Sequence, residues 1–322
     1  MTELFETSSE PAILSRRRTV IGGLTGGIVA SSVLLPTAHA DSDTGSHDLP
    51  VKEIEHIMQA SGKMRHGVLT ISMNRTDLKS YLPGNIPITP AELLNSAFYF
   101  QSVSGGKAFM NGNVCVTLSE IQPFITALIK NGLTVQAFHQ HLPDMKPMYW
   151  FIHFRGEGPP KALAQAIRDA VGATAQKLPQ YSPKHQPTPF DKKKLEDIVG
   201  GHATVGSSGV VTVSVDRAEQ MHLGGVRIHR GLGVAATIAF QPLDPHGTRA
   251  LAIPDFAMIA PEVDNVFKVM QAQGFYIGCL YNQETDEQPQ LYFSHMWATG
   301  DVYDLAKKIR KGLDQTKSKF KS

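Results

Sequence analysis

Apolar and polar positions alternate in "GVLTISMNR" (67–75), and "SAFYFQSV" (96–103) and "KAFMNGNVCV" (107–116) are rich in β-branched and aromatic residues. These patterns predict three β-strands. The next stretch, "TLSEIQPFITALIKNG", changes period: Ile121, Phe124, Ile125, Leu128 and Ile129 fall on one helical face, and Gly132 ends the run. "LTVQAFHQH" and "MYWFIHF" then predict a hairpin with a loop of about five residues. "PPKALAQAIRDAVG" reads as a closing amphipathic helix that starts at prolines, and residues 51–60 as a short helix before the first strand.

The whole pattern is written twice. At an offset of 142, Gly67, Val68, Thr70, Ser72 and Arg75 recur as Gly209, Val210, Thr212, Ser214 and Arg217. Glu120, Gly132, Pro147, His153, Gly158 and Arg168 recur as Glu262, Gly274, Pro289, His295, Gly300 and Arg310, while Phe100-Gln101 matches Phe240-Gln241 at an offset of 140. Repeated supersecondary units of this kind indicate duplication. Repeat one is expected over 51–175 and repeat two over 191–316, with helices near 261–273 and 301–314. The proline-rich residues 176–190 between them predict an extended linker, and 317–322 a solvated basic tail. A strand-helix-strand order followed by a hairpin and a covering helix predicts an α/β (α+β) sandwich. Each repeat would be a mixed sheet with helices on one face, and the two would pack as a pseudo-dimer.

The N-terminus departs from this pattern. Arg16, Arg17 and Arg18 precede a weakly apolar, glycine-containing run and the small-x-small stretch Ala38-His39-Ala40. This predicts a twin-arginine signal peptide over 1–40, cut after Ala40, and therefore a periplasmic or extracellular protein with no span after cleavage. A formal charge of +2 and 19% charged residues give no reason to expect nucleic acid as a partner. Cys115 and Cys279 occupy non-equivalent strand positions and read as two small buried residues rather than a disulfide.

Candidate chemistry centres on His139-x-His141, followed by His153. Residues i and i+2 of a strand share a face, so His-x-His is a ready chelating arrangement. No nucleophile elbow, phosphate-binding loop or dinucleotide fingerprint accompanies it.

The segments "NGNVCVTLSEIQPFITALIKNGLTVQAFHQHL", "ALAIPDFAMIAPEVDNVFKVMQAQGF" and "EQPQLYFSHMWATGDVYDLAKKIRKGLD" resemble the LppY/LpqO family of exported bacterial proteins, often built from two copies of a domain of unknown function. The resemblance implies a pattern of Gly-Asp, an acidic helix start, a strand ending in His-x-His and a strand ending in His. Repeat one keeps Gly112, Glu120, His139, His141 and His153 but has Asn113 in the Asp position. Repeat two keeps Asp255, Glu262 and His295 but has Tyr281 and Gln283 at the His-x-His positions.

The strands of Asn113 and His139, joined through a helix, should run parallel, so Asn113, Glu120, His139 and His141 are expected to gather at one sheet edge as a metal site for zinc or copper. His153 is expected opposite Val135, on the order of 13 Å from His139. It would then serve, with His295, Asp255 and Glu262, as an orienting group or as part of a second site across the repeats. A non-metal envelope ligand-binding or scaffolding protein, and a hydrolase using His139 or Glu120 as base, are the alternatives.

Overall fold

The computed structural model describes residues 49–181 and 187–321; the proposed signal peptide and its cleavage site lie outside them. Repeat one runs α1 (Val51–Met58), β1 (Gly62–Arg65), β2 (Val68–Asn74), β3 (Ser80–Leu82), β4 (Ile86–Ile88), β5 (Asn95–Val103), β6 (Lys107–Val116), α2 (Ile121–Lys130), β7 (Thr134–His139), β8 (Trp150–Gly158) and α3 (Pro160–Val171). Repeat two runs α4 (Lys192–Val199), β9 (His202–Val205), β10 (Val211–Val215), β11 (His222–Leu223), β12 (Val226–Arg227), β13 (Ala236–Pro242), β14 (Arg249–Met258), α5 (Ala260–Ala272), β15 (Tyr276–Ile277), β16 (Glu287–Gln288), β17 (Tyr292–Asp301) and α6 (Val302–Leu313).

The main sheets have corresponding orders, β1-β2-β5-β6-β8-β7 and β9-β10-β13-β14-β17-β15. Their neighbouring strands all pair antiparallel. β6 and β7 do run parallel, as their helical connection requires, but β8 lies between them. The α+β class and the duplication are thus as the sequence pattern implies. The short ribbons β3-β4 and β11-β12 belong to loops that the sequence pattern did not reveal.

Strand alternation assigns the two faces of each sheet. Leu69, Ile71 and Met73 of β2 pack with Met58, Phe124, Leu163 and Ile167 of the helices in one core. Val211, Val213 and Val215 of β10 do the same against Leu195, Val266 and Leu305 in repeat two. The predicted apolar stripe of α2 is narrower than its spacing suggests: Phe124 and Leu128 are buried, whereas Ile129 is 66% exposed.

The opposite faces look towards the partner repeat, and each repeat's loop excursion covers its partner's sheet. Leu82, Ile88 and Leu94 of repeat one pack with Leu251, Ile253 and Trp297 of repeat two. Met221, Leu223 and Ile228 of repeat two share a cluster with Val68 and Phe109 of repeat one. The recurring glutamines tie this exchange. Gln101 donates to Arg227 O (2.9 Å) and accepts from His229 N (2.7 Å). Gln241 donates to Pro87 O and accepts from Thr89 N, both at 2.7 Å. Residues 227 and 229 stand 140 beyond 87 and 89, so the two clamps are related by a pseudo-twofold axis.

The linker, expected to be extended without packing into a core, and the tail, expected to be solvated, are both anchored. In the linker, Phe190 is buried in the repeat-two core, and Gln180 bonds the backbone of Asn74 through both ends of its amide. In the basic tail, Lys319 N donates to Asp216 O, Phe320 lies beneath the Arg310 guanidinium, and Lys321 pairs with Glu196. A cation near an unfilled acceptor and an aromatic near an apolar face both gain by docking, which the basic composition of the tail concealed.

Candidate functional site

The repeated Arg and Glu residues form matching structural clusters. Arg75 is fully buried. It donates to both oxygens of Glu120 at 3.0 Å, to Cys115 O at 2.5 Å, and to Asp77 at 2.8 and 3.1 Å. The remaining capacity of Glu120 is taken by the backbone N–H groups of Thr117 (2.8 Å) and Ala175 (2.6 Å). In repeat two, Arg217 engages Glu262, Glu219 and Ala257 O, while Ile259 N and Lys317 N donate to Glu262. Both glutamates therefore close helix N-termini and neutralise a buried guanidinium. This corrects their expected place in the site: with both oxygens committed to two donors each, neither carboxylate is available to an ion.

The histidines do converge, and on a different set of partners. His139 pairs with Phe151 in the β7-β8 ladder, and Ala137 with His153, after a register shift between Val135 and Ala137. His153 is thus a diagonal, same-face neighbour of His139, and diagonal pairs lie within reach of ring side chains. The Nε2 atoms of His139 and His153 are 2.9 Å apart. The expected 13 Å separation fails because the connection spans 140–149 rather than about five residues, and because the bulge re-aims the strand. His153 belongs to the same site as His139.

Repeat two completes this site through the equivalent positions. Tyr281, 142 residues beyond His139, stacks on the His139 ring with centroids 3.6 Å apart. His141 lies between Phe151 (3.4 Å) and His295 (3.7 Å). His295 Nδ1 is 3.6 Å from Asp255 Oδ1, 3.5 Å from Tyr281 Oη and 3.8 Å from Cys279 Sγ. Tyr281 Oη donates to Asp255 Oδ2 at 3.4 Å and accepts from Gln283 Nε2 at 3.3 Å. Asp255 and Asn113 pair with His295 and His153 in their respective ladders, and Asn113 Oδ1 accepts from Ala97 N. Cys115 and Cys279 are both free; Cys115 is buried, as expected, whereas Cys279 is only half-buried.

Equivalent residues meet because the pseudo-twofold axis passes between His139 and Tyr281. The sequence signal for this was the shared offset: in a pseudo-dimer, paired positions near the axis fall into one site. Close approach of the backbones is required here, and Gly278 provides it. A Cβ at that position would stand 2.6 Å from Leu142 Cδ2 and 2.8 Å from His141 O.

Burial shifts the site's ionisable groups towards their uncharged forms. Burial pushes the His139 imidazole down to about 4, and burial with neighbouring imidazoles lowers His141 and His153 well below the usual histidine value. Burial also lowers His295 and raises the Asp255 carboxyl, against the opposing Tyr281 hydroxyl bond. Unprotonated imidazoles are the form that ligates a metal. Among the described residues, no three His, Cys, Asp or Glu side chains already present their donors to one point. The His139–His153 pair does so, and both nitrogens of His141 and Asp255 Oδ1 are buried without a hydrogen-bond partner.

The fold and site define a tandem α+β protein whose two repeats enclose a histidine-rich interface. The chain belongs to the family described as Domain of Unknown Function (DUF1259), which matches residues 52–173 and 193–315. No functionally curated protein matches it. Two solved structures align distantly. One is the trimeric bacterial microcompartment shell protein PduB, with 11% identity, 79% of this chain and 89% of that one covered, and a TM-score of 0.21. The other is EtuB from Clostridium kluyveri, with 7% identity, 79% and 88% covered, and a TM-score of 0.18. Likenesses at this level carry no functional argument. Among the described residues no helix is long and apolar enough to cross a membrane.

Proposed function

We propose that this is an exported, LppY/LpqO-type protein that binds a transition metal, zinc or copper, between its repeats. The ligands are His139, His141 and His153 from repeat one and His295 from repeat two, with Tyr281 and Asp255 beside them. The observation that carries this reading is the gathering of four imidazoles, three buried and His139 half-buried, two with Nε2 atoms 2.9 Å apart and one with neither nitrogen hydrogen-bonded among the described residues.

Two imidazole nitrogens bonded to one tetrahedral zinc stand about 3.3 Å apart for Zn–N bonds of about 2.0–2.1 Å. The His139–His153 pair opens by only a few tenths of an ångström to accept an ion in place of their shared proton. Rotation of the His141 and His295 rings supplies further donors, and both rings are held by stacking rather than by strong hydrogen bonds. Imidazole donors suit zinc or copper better than magnesium or calcium.

Titration of chelator-treated protein with Zn²⁺ or Cu²⁺ tests the reading. It expects saturation near one equivalent, and loss of that binding in His139→Ala/His153→Ala with the fold intact by circular dichroism. Undiminished stoichiometric binding in the double variant would overturn it.

A further inference from the structure

The sheet faces between the repeats leave an open cleft of about 1390 Å³, lined by residues of both repeats. Packed sheet faces ordinarily interdigitate apolar side chains at a spacing of about 10 Å. Here the recurring pairs Thr70/Thr212 and Ser72/Ser214 line the space instead. Among the described residues their hydroxyls have no hydrogen-bond partner, although neither Thr is fully exposed. The duplication has thus kept four hydroxyls on the surface of the cleft.

Glu92, in the wall of the same cleft, is 5% exposed, and its carboxyl is sealed from solvent beside the Ile253 backbone. At the rim stand Lys63, Lys192, Arg230 and Lys319, all exposed and none paired with a carboxylate among the described residues. Arg65, in contrast, is matched by Asp216 at 3.7 Å.

We propose that the cleft binds a short acidic oligosaccharide, its ring hydroxyls meeting the Thr and Ser groups and its carboxylates meeting the rim cations. The cleft exceeds the 300–1,000 Å³ typical of small-molecule pockets, so it accommodates several sugar rings rather than one. A purely hydrophobic ligand would leave the hydroxyls unmatched. A small inorganic anion would satisfy the rim alone. The proposal does not depend on a metal, because the Thr and Ser hydroxyls stand on β2 and β10, three strands across each sheet from His153 and His295, which line the far wall of the same cleft.

The test is calorimetric titration of the intact mature protein, metal-stripped and metal-loaded, with a trigalacturonate probe, neutral maltotriose and inorganic phosphate. The expected result is saturable binding of the acidic trisaccharide in both preparations, weakened by salt, with maltotriose and phosphate at least about tenfold weaker. Ser72→Trp, at an exposed cleft position, should fill the space and abolish binding, and Lys63→Ala/Arg230→Ala should weaken it severalfold, both with unchanged melting. Equal binding of phosphate would reduce the site to a basic rim and overturn the proposal. So would equal binding of maltotriose, no binding of trigalacturonate, or undiminished binding by a folded Ser72→Trp variant.

Discussion

Replacing Glu120 by Ala separates a structural role from a ligand role. The change strips two hydrogen bonds from the fully buried Arg75 guanidinium and removes the acceptor for Thr117 N and Ala175 N. Breaking a buried ion pair by removing one partner costs about 3–5 kcal/mol. Asp77 and Cys115 O still hold Arg75, which places the ion-pair loss at the lower end, about 3 kcal/mol. The two orphaned backbone donors add roughly 1 kcal/mol, because water reaches that helix end. At about 2 °C per kcal/mol for a chain of this size, the melting temperature should fall by about 8 °C. Metal content should stay that of the parent. Thermal melting with elemental analysis on the same sample reads both. An unchanged melting temperature together with lost metal would refute the assignment of Glu120 to the fold.

Further outcomes follow from the same contacts. For Glu120, burial raises the carboxyl, but the Thr117 and Ala175 N–H groups and Arg75 outweigh it and leave it below its ordinary value of 4.5. Its stabilisation is therefore present above the unfolded value and lost as pH falls through the folded one, so urea midpoints should drop below about pH 4.5 and less steeply in Glu120→Ala. Glu284 behaves oppositely. Burial, against the Arg155 attraction, pushes its carboxyl up to about 8. Stability falls as pH rises from 4.5 towards 8, with a slope of up to about 1.4 kcal/mol per pH unit. Glu284→Gln should then stabilise the protein at pH 8 and change little at pH 4; no gain at pH 8 would contradict this. Gln101→Ala and Gln241→Ala should each cost about 1–3 kcal/mol in urea unfolding, because each strands an N–H and a carbonyl of the other repeat's loop. Gly278→Ala should lower metal affinity by displacing the His141 backbone; a titration matching the parent would show that the close approach is dispensable.

Much of the architecture was legible because burial imposes a period. The β2 alternation and the α2 stripe each face a core, and the 142-residue offset exposed the duplication directly. The β3-β4 and β11-β12 ribbons were not legible because they are stabilised by the partner repeat, as Leu82 and Ile88 are by Leu251 and Ile253. The site was half legible. His139 and His141 were marked by spacing, and the recurrence of His153 as His295 pointed to a contact across the repeats. The place of His153 was missed because a bulge and a long connection have no periodic signature. Glu120 and Glu262 were misplaced for a different reason: the same recurrence that marks a ligand also marks a helix-capping partner for Arg75 and Arg217.

The central claim is that one metal site is shared by both repeats, and His295→Ala tests it most directly because that residue lies 142 positions from His153, outside the His-x-His repeat. Elemental analysis should be made on tag-free protein purified from cells that export it normally. The account expects about one zinc or copper per parent chain and a metal content reduced to background in both His153→Ala and His295→Ala, each still folded. A parent protein free of metal in every such preparation, or a His295→Ala variant that keeps its full metal complement, would contradict it.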